Sequence, residues 1–322
     1  MRRTGVARRT ALVLILTTGV LSARVARAQN LIPGAYVPAP VALNVVTLVG
    51  TANKGDILFD PSLPIEEGHA TIGVAAIGYS RTLSIAGRSA SVGVVVPYMR
   101  GHISGLLLGQ FEERTRSGIG DVTARVSVNL YGAPAMTLPQ FAKYSPKTIV
   151  GLSLNVAAPV GQYDSTRAIN IGSNRWAFAP EIGVSRTWGP WMLEGDFGGV
   201  IFADNTNFFN GGLRKQAPIV ATQGHVMYTI RRGLWVAADA NFWHGGRTTT
   251  NGAAATLPQH NSRVGTTVAV PFGMHQMRLS YSFGAYTRAG GDFHSVGVSY
   301  SYVWTKRPTS SPTRRDAPHS IW

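Results

Sequence analysis

The strongest constraint on this chain is a side-chain period of two that returns about twelve times, in segments too short and too polar for transmembrane helices. It is plainest in His294–Trp304. Val296, Val298, Tyr300, Tyr302 and Trp304 share one parity, and Ser295, Gly297, Ser299 and Ser301 the other. A strand sends these sets to opposite faces. Taken alone, the segment suits a half-buried strand of a soluble sandwich as well as a strand between lipid and water.

Similar segments recur over residues 42–52, 70–82, 89–100, 120–131, 148–158, 176–187, 191–203, 218–230, 234–243, 262–270 and 277–287, with 293–304 as the last. Most are long enough to cross a bilayer at a tilt. In 120–131, Val122, Ala124, Val126, Val128 and Leu130 oppose Thr123, Arg125, Ser127 and Asn129. In 234–243, Leu234, Val236, Ala238, Ala240 and Phe242 oppose Trp235, Ala237, Asp239, Asn241 and Trp243. Segments 42–52 and 70–82 are apolar on both parities, so their orientation stays open.

The connections alternate in length. Ser84–Arg88, Trp188–Pro190, Arg231–Gly233 and Pro271–Gln276 are short; 53–69, 101–119, 159–175, 204–217 and 244–261 are long. Outer-membrane barrels do this, with brief periplasmic turns and longer outer loops. Two connections depart from the rule: Gly132–Lys147 is a long periplasmic link with three prolines, and 288–292 is a short outer loop.

The polar parity is mostly Ser, Thr, Gly and Asn, and only 14% of the chain is charged. A soluble sheet would carry more Lys and Glu there. Trp176, Trp188, Trp191, Trp235, Trp243, Tyr228, Tyr302 and Trp304 gather near segment ends, where interfacial girdles lie. Backbone groups in lipid must all be paired, so such a sheet must close on itself. The expected fold is all-β: a transmembrane antiparallel up-and-down β-barrel of about twelve strands over residues 42–304.

Outside the barrel, residues 1–28 read as a secretory signal peptide. Arg2, Arg3, Arg8 and Arg9 precede the apolar stretch Ala11–Leu21, and Ala26-Arg27-Ala28 supplies the cleavage site. Those residues hold six Arg and no acid, so cleavage takes the formal charge from +15 to +9. What remains is scattered, which argues against nucleic acid as a partner. The lead 29–41 contains Pro33, Pro38 and Pro40 and is expected to be extended and unpaired. It could lie in the lumen or outside it. Residues 305–322 form a basic, Pro-containing tail with the composition of a disordered segment.

Several strings, in order and spacing, carry a resemblance. They are Ser117–Val122, Asn129–Pro134, Pro159–Asp164, Asn170–Trp176, Pro180–Gly183, Gly189–Trp191, Gly233–Trp235, Gly245–Thr248 and Asn261–Gly265. Together, over roughly residues 35–304, they resemble the outer-membrane transporters grouped with the meta-pathway of phenol degradation. The resemblance implies a porin-like barrel that passes aromatic or other small hydrophobic solutes. Barrels of this type usually end on the aromatic of the last strand, whereas this chain runs eighteen residues past Trp304.

If the parities hold, Arg125, Glu181, Glu194, Asp196, His225, Asp239, Arg263 and Arg278 line the lumen. They either form a charge ladder that sets selectivity or pair to cross-brace a filled barrel. His225 and Asp239, on neighbouring segments, are the one pair that invites a hydrolase reading, but no Ser stands convincingly beside them and no Gly-x-Ser-x-Gly string occurs. No enzyme activity is expected. Eight His without ligand spacing and no Cys give no metal site from sequence, and no cofactor motif occurs. Outer loops Asn205–Gly212 and His244–Asn251 suit solute capture or ordinary turn chemistry. The expected partners are outer-membrane lipid, the barrel-assembly machinery and a small-molecule solute; no feature fixes the oligomeric state.

Overall fold

The computed structural model describes residues 31–58, 65–107, 109–145, 147–167, 169–254 and 257–305. The expected signal peptide and residues 306–322 of the expected tail lie outside this set. Within it, strands run β1 (Leu43–Leu58), β2 (Ile65–Ile85), β3 (Arg88–Leu107), β4 (Gln110–Ile119), β5 (Val122–Tyr131), β6 (Thr148–Ala158), β7 (Ala177–Trp188), β8 (Trp191–Phe202), β9 (Asn205–Phe208), β10 (Gly212–Gln216), β11 (Ile219–Arg231), β12 (Leu234–Gly245), β13 (Thr248–Thr250), β14 (Ala253–Ala254), β15 (Gln259–Phe272), β16 (His275–Tyr286) and β17 (Gly290–Thr305).

The wall follows chain order and closes. β3 pairs with β2 on one side and with both β4 and β5 on the other. Those two are therefore halves of one wall strand, interrupted at Gly120 and Asp121. The order continues β5-β6-β7-β8-β11-β12-β15-β16-β17, and β17 returns to β1. That seam runs from Leu43 opposite Thr305 to Leu58 opposite Gly290. The result is a closed antiparallel barrel of twelve wall strands. The β17–β1 seam closes the ring, as backbone groups in lipid require; β4, which pairs with β3 alone, leaves its other edge beyond the membrane.

The outward face is apolar and exposed. On β17 it presents Val296, Val298, Tyr300 and Tyr302; Leu279, Tyr281 and Phe283 continue it on β16, and Leu193, Phe197 and Ile201 on β8. The two undecided segments orient the same way: Leu48 of β1 and Ile77 and Tyr79 of β2 are exposed. Replacing Val298, which sits mid-strand opposite Gly50 and Leu279, by Arg should destabilise the barrel by about 2–4 kcal/mol, the cost of a cation at the bilayer midplane. Urea unfolding of the lipid-reconstituted protein measures it, with Ser299→Arg on the inner face as the milder comparison.

Trp176, Trp188, Trp191, Tyr228 and Tyr302 stand exposed near strand ends. Trp191 packs edge-on against Tyr228 at 4.8 Å between centroids, and Tyr302 stacks on Trp304 at 5.5 Å. Trp235 and Trp243 are corrections to the expected girdle. Both lie on the inward parity of β12, 9% and 1% exposed, inside the barrel.

Two expected loops are wall. β2 and β3 are twenty-one and twenty residues long, and β1 and β4 extend with them. About 9–11 tilted residues span a bilayer, so this hairpin pair projects well beyond it. There water meets the outward face and ions replace its apolar side chains, His69 meeting Asp56 at 2.6 Å and His102 lying 3.7 Å from Glu113, while Ile57, Ala70 and Ile103 form a buried cluster on the inward face. Two further expected loops fold instead into a small sheet of order β14-β13-β10-β9.

The link 132–147, expected as periplasmic, has a structural use. It carries the short helix α1 (Leu138–Lys143), started by a Thr137/Gln140 capping box. Its Ala133 and Met136 are buried, Met136 accepts the Val41 amide at 2.8 Å, and Ala133 packs with Tyr36 and Ile149. The link thus clamps the lead where it enters the barrel.

Candidate functional site: the barrel interior

The lead lies inside the lumen. Residues 31–41 are unpaired as strands, as the prolines require, and run along the inner faces of β6, β7, β8 and β11. Tyr36 is 3% exposed. Its ring lies over Gly151 of β6 and Gly183 of β7; a Cβ on those glycines would stand 2.0 and 2.2 Å from ring carbons. Only residues without a side chain leave room for it. The Tyr36 hydroxyl donates to Glu181 Oε1 at 2.9 Å and lies 3.1 Å from Ser153 Oγ, while Asn129 Nδ2 donates to the Tyr36 carbonyl at 3.1 Å. The Gly34 and Ala35 amides donate to Glu194 Oε1 at 3.0 and 3.1 Å.

Around the lead the structure gathers six of the eight sequence candidates. Ladder register sets this up: His225 is opposite Glu194 on one side and Asp239 on the other, and Gln223 is opposite Asp196. His225 Nδ1 donates to Asp239 Oδ1 at 2.7 Å, and Thr267 Oγ1 donates to Asp239 Oδ2 at 2.8 Å. Arg125 reaches across β6 to Glu181 at 3.8 Å and lies over the Tyr36 ring. Glu194, Asp196, His225 and Asp239 are all buried. Arg263 and Arg278 stand apart. Arg263 donates to Ser295 Oγ at 2.8 Å, and Arg278 lies over the Trp235 ring with Nε donating to Gln276 at 3.0 Å. The arrangement is a cluster of four acids with Arg125 and His225, set apart from two separately held arginines. It is not an alternating ladder.

The hydrolase geometry is not assembled here. His225 Nε2 faces Asp196 Oδ2 at 3.8 Å, where a triad would place a nucleophilic hydroxyl. The histidines show no ligand spacing along the sequence, yet in space Glu194, Asp196 and His225 bring possible donor atoms within 4.8 Å of one another. Sequence spacing could not reveal this, because the ligands come from two strands brought together by register.

The opposite half of the inner wall differs. Val45, Val49, Val74, Val95, Pro97 and Met99 of β1–β3 are only half-buried, as are Thr47, Thr51, Ser299 and Ser301, and the inward Ser280 is exposed. The bore therefore has one filled, charged side and one open side of small and apolar groups.

At the outer mouth, Arg175 lies over Phe202 at 4.5 Å and Arg214 over Phe208 at 5.0 Å. Both are buried, and Arg175 donates to Gln216. Burial lowers the Arg175 guanidinium to about 10 and that of Arg214 to about 9, so both remain cationic at neutral pH. Asn205–Gly212 and His244–Asn251, expected as loops, supply β9 and β13 of the small sheet beside them.

The 159–175 connection is held by Asp121, at the break between β4 and β5. Its Oδ1 accepts the Gly161 amide at 3.0 Å; its Oδ2 accepts the Ser173 amide at 2.8 Å and the Ser173 hydroxyl. Asp121→Ala leaves these donors without their acceptor, at a cost of about 1–3 kcal/mol. The expected result is faster tryptic cleavage after Arg167 with the barrel intact; an unchanged cleavage rate would remove Asp121 as the latch.

Fold and interior define a single-chain β-barrel of the outer-membrane type. The chain belongs to the family described as "Putative MetA-pathway of phenol degradation", which matches residues 50–306. It is similar in structure to an outer-membrane channel from Pseudomonas putida F1, with a TM-score of 0.74 at 19% identity, over 85% of this chain and 100% of that one. It also matches the transport unit of the autotransporter AIDA-I from Escherichia coli (TM-score 0.49, 10% identity, 93% and 97% covered). The β domain of the Bordetella autotransporter BrkA gives 0.44 at 12% identity, with 80% and 98% covered. The latter two scores do not bear on function. No curated protein matches the sequence.

Proposed function

We propose that this barrel is a passive channel in the outer membrane, reached by secretory export, through which small and preferentially aromatic or apolar solutes pass. The observation that carries this reading is the divided bore. The lead and the acid cluster fill one side, while the half-buried Val, Pro, Met, Ser and Thr side chains of β1–β3, β16 and β17 leave the other available. An apolar wall with scattered hydroxyls suits a solute that is mostly hydrocarbon with one polar end. The buried cationic pair near Phe202 and Phe208 supplies a positive field at that mouth, which suits the approach of aromatic acids. Arg263 and Arg278 add positive charge lower in the bore.

The test is reconstitution of residues 29–322 in planar bilayers and liposomes. Measurable conductance is expected, with benzoate-sized aromatic acids entering faster than neutral sugars of equal size. A folded barrel that is electrically silent and admits none of them ends the proposal. A second reading, a plugged barrel for surface interaction, is favoured by the tightly seated lead. It requires that the wild type stay silent and that conductance appear only when the lead is displaced.

A further inference from the structure

We propose that Glu194, Asp196 and His225 form a binding site for one divalent first-row transition cation in the inner wall, beneath the lead. Their donor atoms lie within 4.8 Å of one another, and none of the three residues is more than 6% exposed. Glu194 Oε2, Asp196 Oδ1 and His225 Nε2 are each buried without a hydrogen-bond partner. Three such atoms are costly to bury bare; a cation held between His225 Nε2, Glu194 and the Asp196 carboxylate, whose Oδ2 faces Nε2 at 3.8 Å, draws on all three side chains.

The other atom of each ligand is oriented for the task. Asp239, accepting from Thr267 as well, accepts the hydrogen bond of His225 Nδ1–H. That fixes the tautomer with the Nε2 lone pair directed at Glu194 and Asp196, the carboxylate–histidine support that metal sites use. Glu194 is held through Oε1 by the Gly34 and Ala35 amides, which leaves Oε2 for a ligand. The charge also fits. With His225 a neutral ligand, Glu181, Glu194, Asp196 and Asp239 have Arg125 as the cationic group of the cluster, so a divalent ion offsets the excess.

One imidazole nitrogen with two carboxylates and no sulfur selects Zn²⁺, Co²⁺ or a neighbouring ion over Mg²⁺ and Ca²⁺. Tetrahedral Zn²⁺ with bonds near 2.0–2.1 Å needs donors roughly 3.4 Å apart, so binding draws the set in by about an ångström. Three protein ligands leave a fourth position for water or solute. Because Glu194 also holds the lead, the ion would sit where it ties β8 and β11 to the segment that fills the bore.

The experiment titrates Co²⁺ into the refolded, EDTA-treated barrel (residues 29–322) in detergent and follows visible absorption, then displaces it with Zn²⁺. The expected result is one Co²⁺ per folded chain with a d–d band that Zn²⁺ abolishes, and no band in the urea-unfolded protein. Asp239→Asn should weaken Zn²⁺ about 10- to 100-fold, the usual loss for an outer partner of a ligating His. His225→Gln should remove the band, and His69→Gln, altering an exposed His–Asp pair, should leave it unchanged. Absence of a stoichiometric band in the folded wild type overturns the proposal whether or not the variants fold. Equal binding by His225→Gln with native heat-modifiable migration also overturns it. Neither result depends on whether the barrel conducts.

Discussion

Leucine at both Gly151 and Gly183 expels the lead and raises single-channel conductance several-fold. These glycines lie on the inward parities of β6 and β7, beneath the Tyr36 ring. A Cβ at Gly151 would stand 2.0 Å from one ring carbon, and one at Gly183 would stand 2.2 Å from another and from Asp196 Oδ1. Tyr36 cannot rotate away, because it is buried between the wall and the Ala133–Ile149 cluster. The wall keeps its ladder, since neither glycine is needed for a turn. What is lost is the set of bonds from Gly34, Ala35 and Tyr36 to the acid cluster, each worth about 1 kcal/mol net. Overlap of this size outweighs them. The measurements are conductance in planar bilayers and chymotryptic cleavage after Tyr36. Tyr36→Ala serves as the graded comparison: it removes the ring but keeps the amide bonds to Glu194, so it should open the bore less. A double variant that folds, conducts like the wild type and protects its lead would show that the segment does not limit passage.

Asp239→Ala, in metal-free buffer, should cost the folded barrel on the order of 3–5 kcal/mol, as expected when one partner is removed from a buried, hydrogen-bonded charge pair. Asp239 is the acceptor for both His225 Nδ1 and Thr267 Oγ1, and all three residues are buried. Alanine strands two donors and leaves a void beside them. Asparagine retains the shape and one acceptor, so Asp239→Asn should fall nearer 1–3 kcal/mol. Trp235 and Trp243, buried on the same face of β12, give a fluorescence signal for urea unfolding of the reconstituted protein. A loss under about 1 kcal/mol for alanine would mean the cluster is already hydrated or relaxed.

Where lipid lies on one side of the wall and the bore on the other, the sequence was legible. β6 falls on the expected 148–158, β8 ends one residue early, and β7 and β11 shift by one residue at both ends. There the two-residue period has a physical cause, since one face must be apolar. The same logic fails above the membrane. Residues 53–58, 101–107 and 110–119 carry ions on the outward parity because water meets that face, so they read as loops although they continue β1, β3 and β4 as paired strands, with Ile57 and Ile103 buried on the inward parity. Trp235 and Trp243 were misread for a related reason. An aromatic near a segment end suits a girdle, but parity sends both inward, and only the filled interior explains why large rings are accepted there.

The sequence by itself determined the closed antiparallel barrel and, outside β1 and β2, the outward face of its lipid-spanning strands, because period and hairpin length are local consequences of a lipid boundary. Only the tertiary structure decided what fills the bore. Register across β8, β11 and β12 places His225 between Glu194 and Asp239, and two glycines on different strands make the seat for Tyr36. Such contacts join residues far apart in the chain, and no local spacing records them.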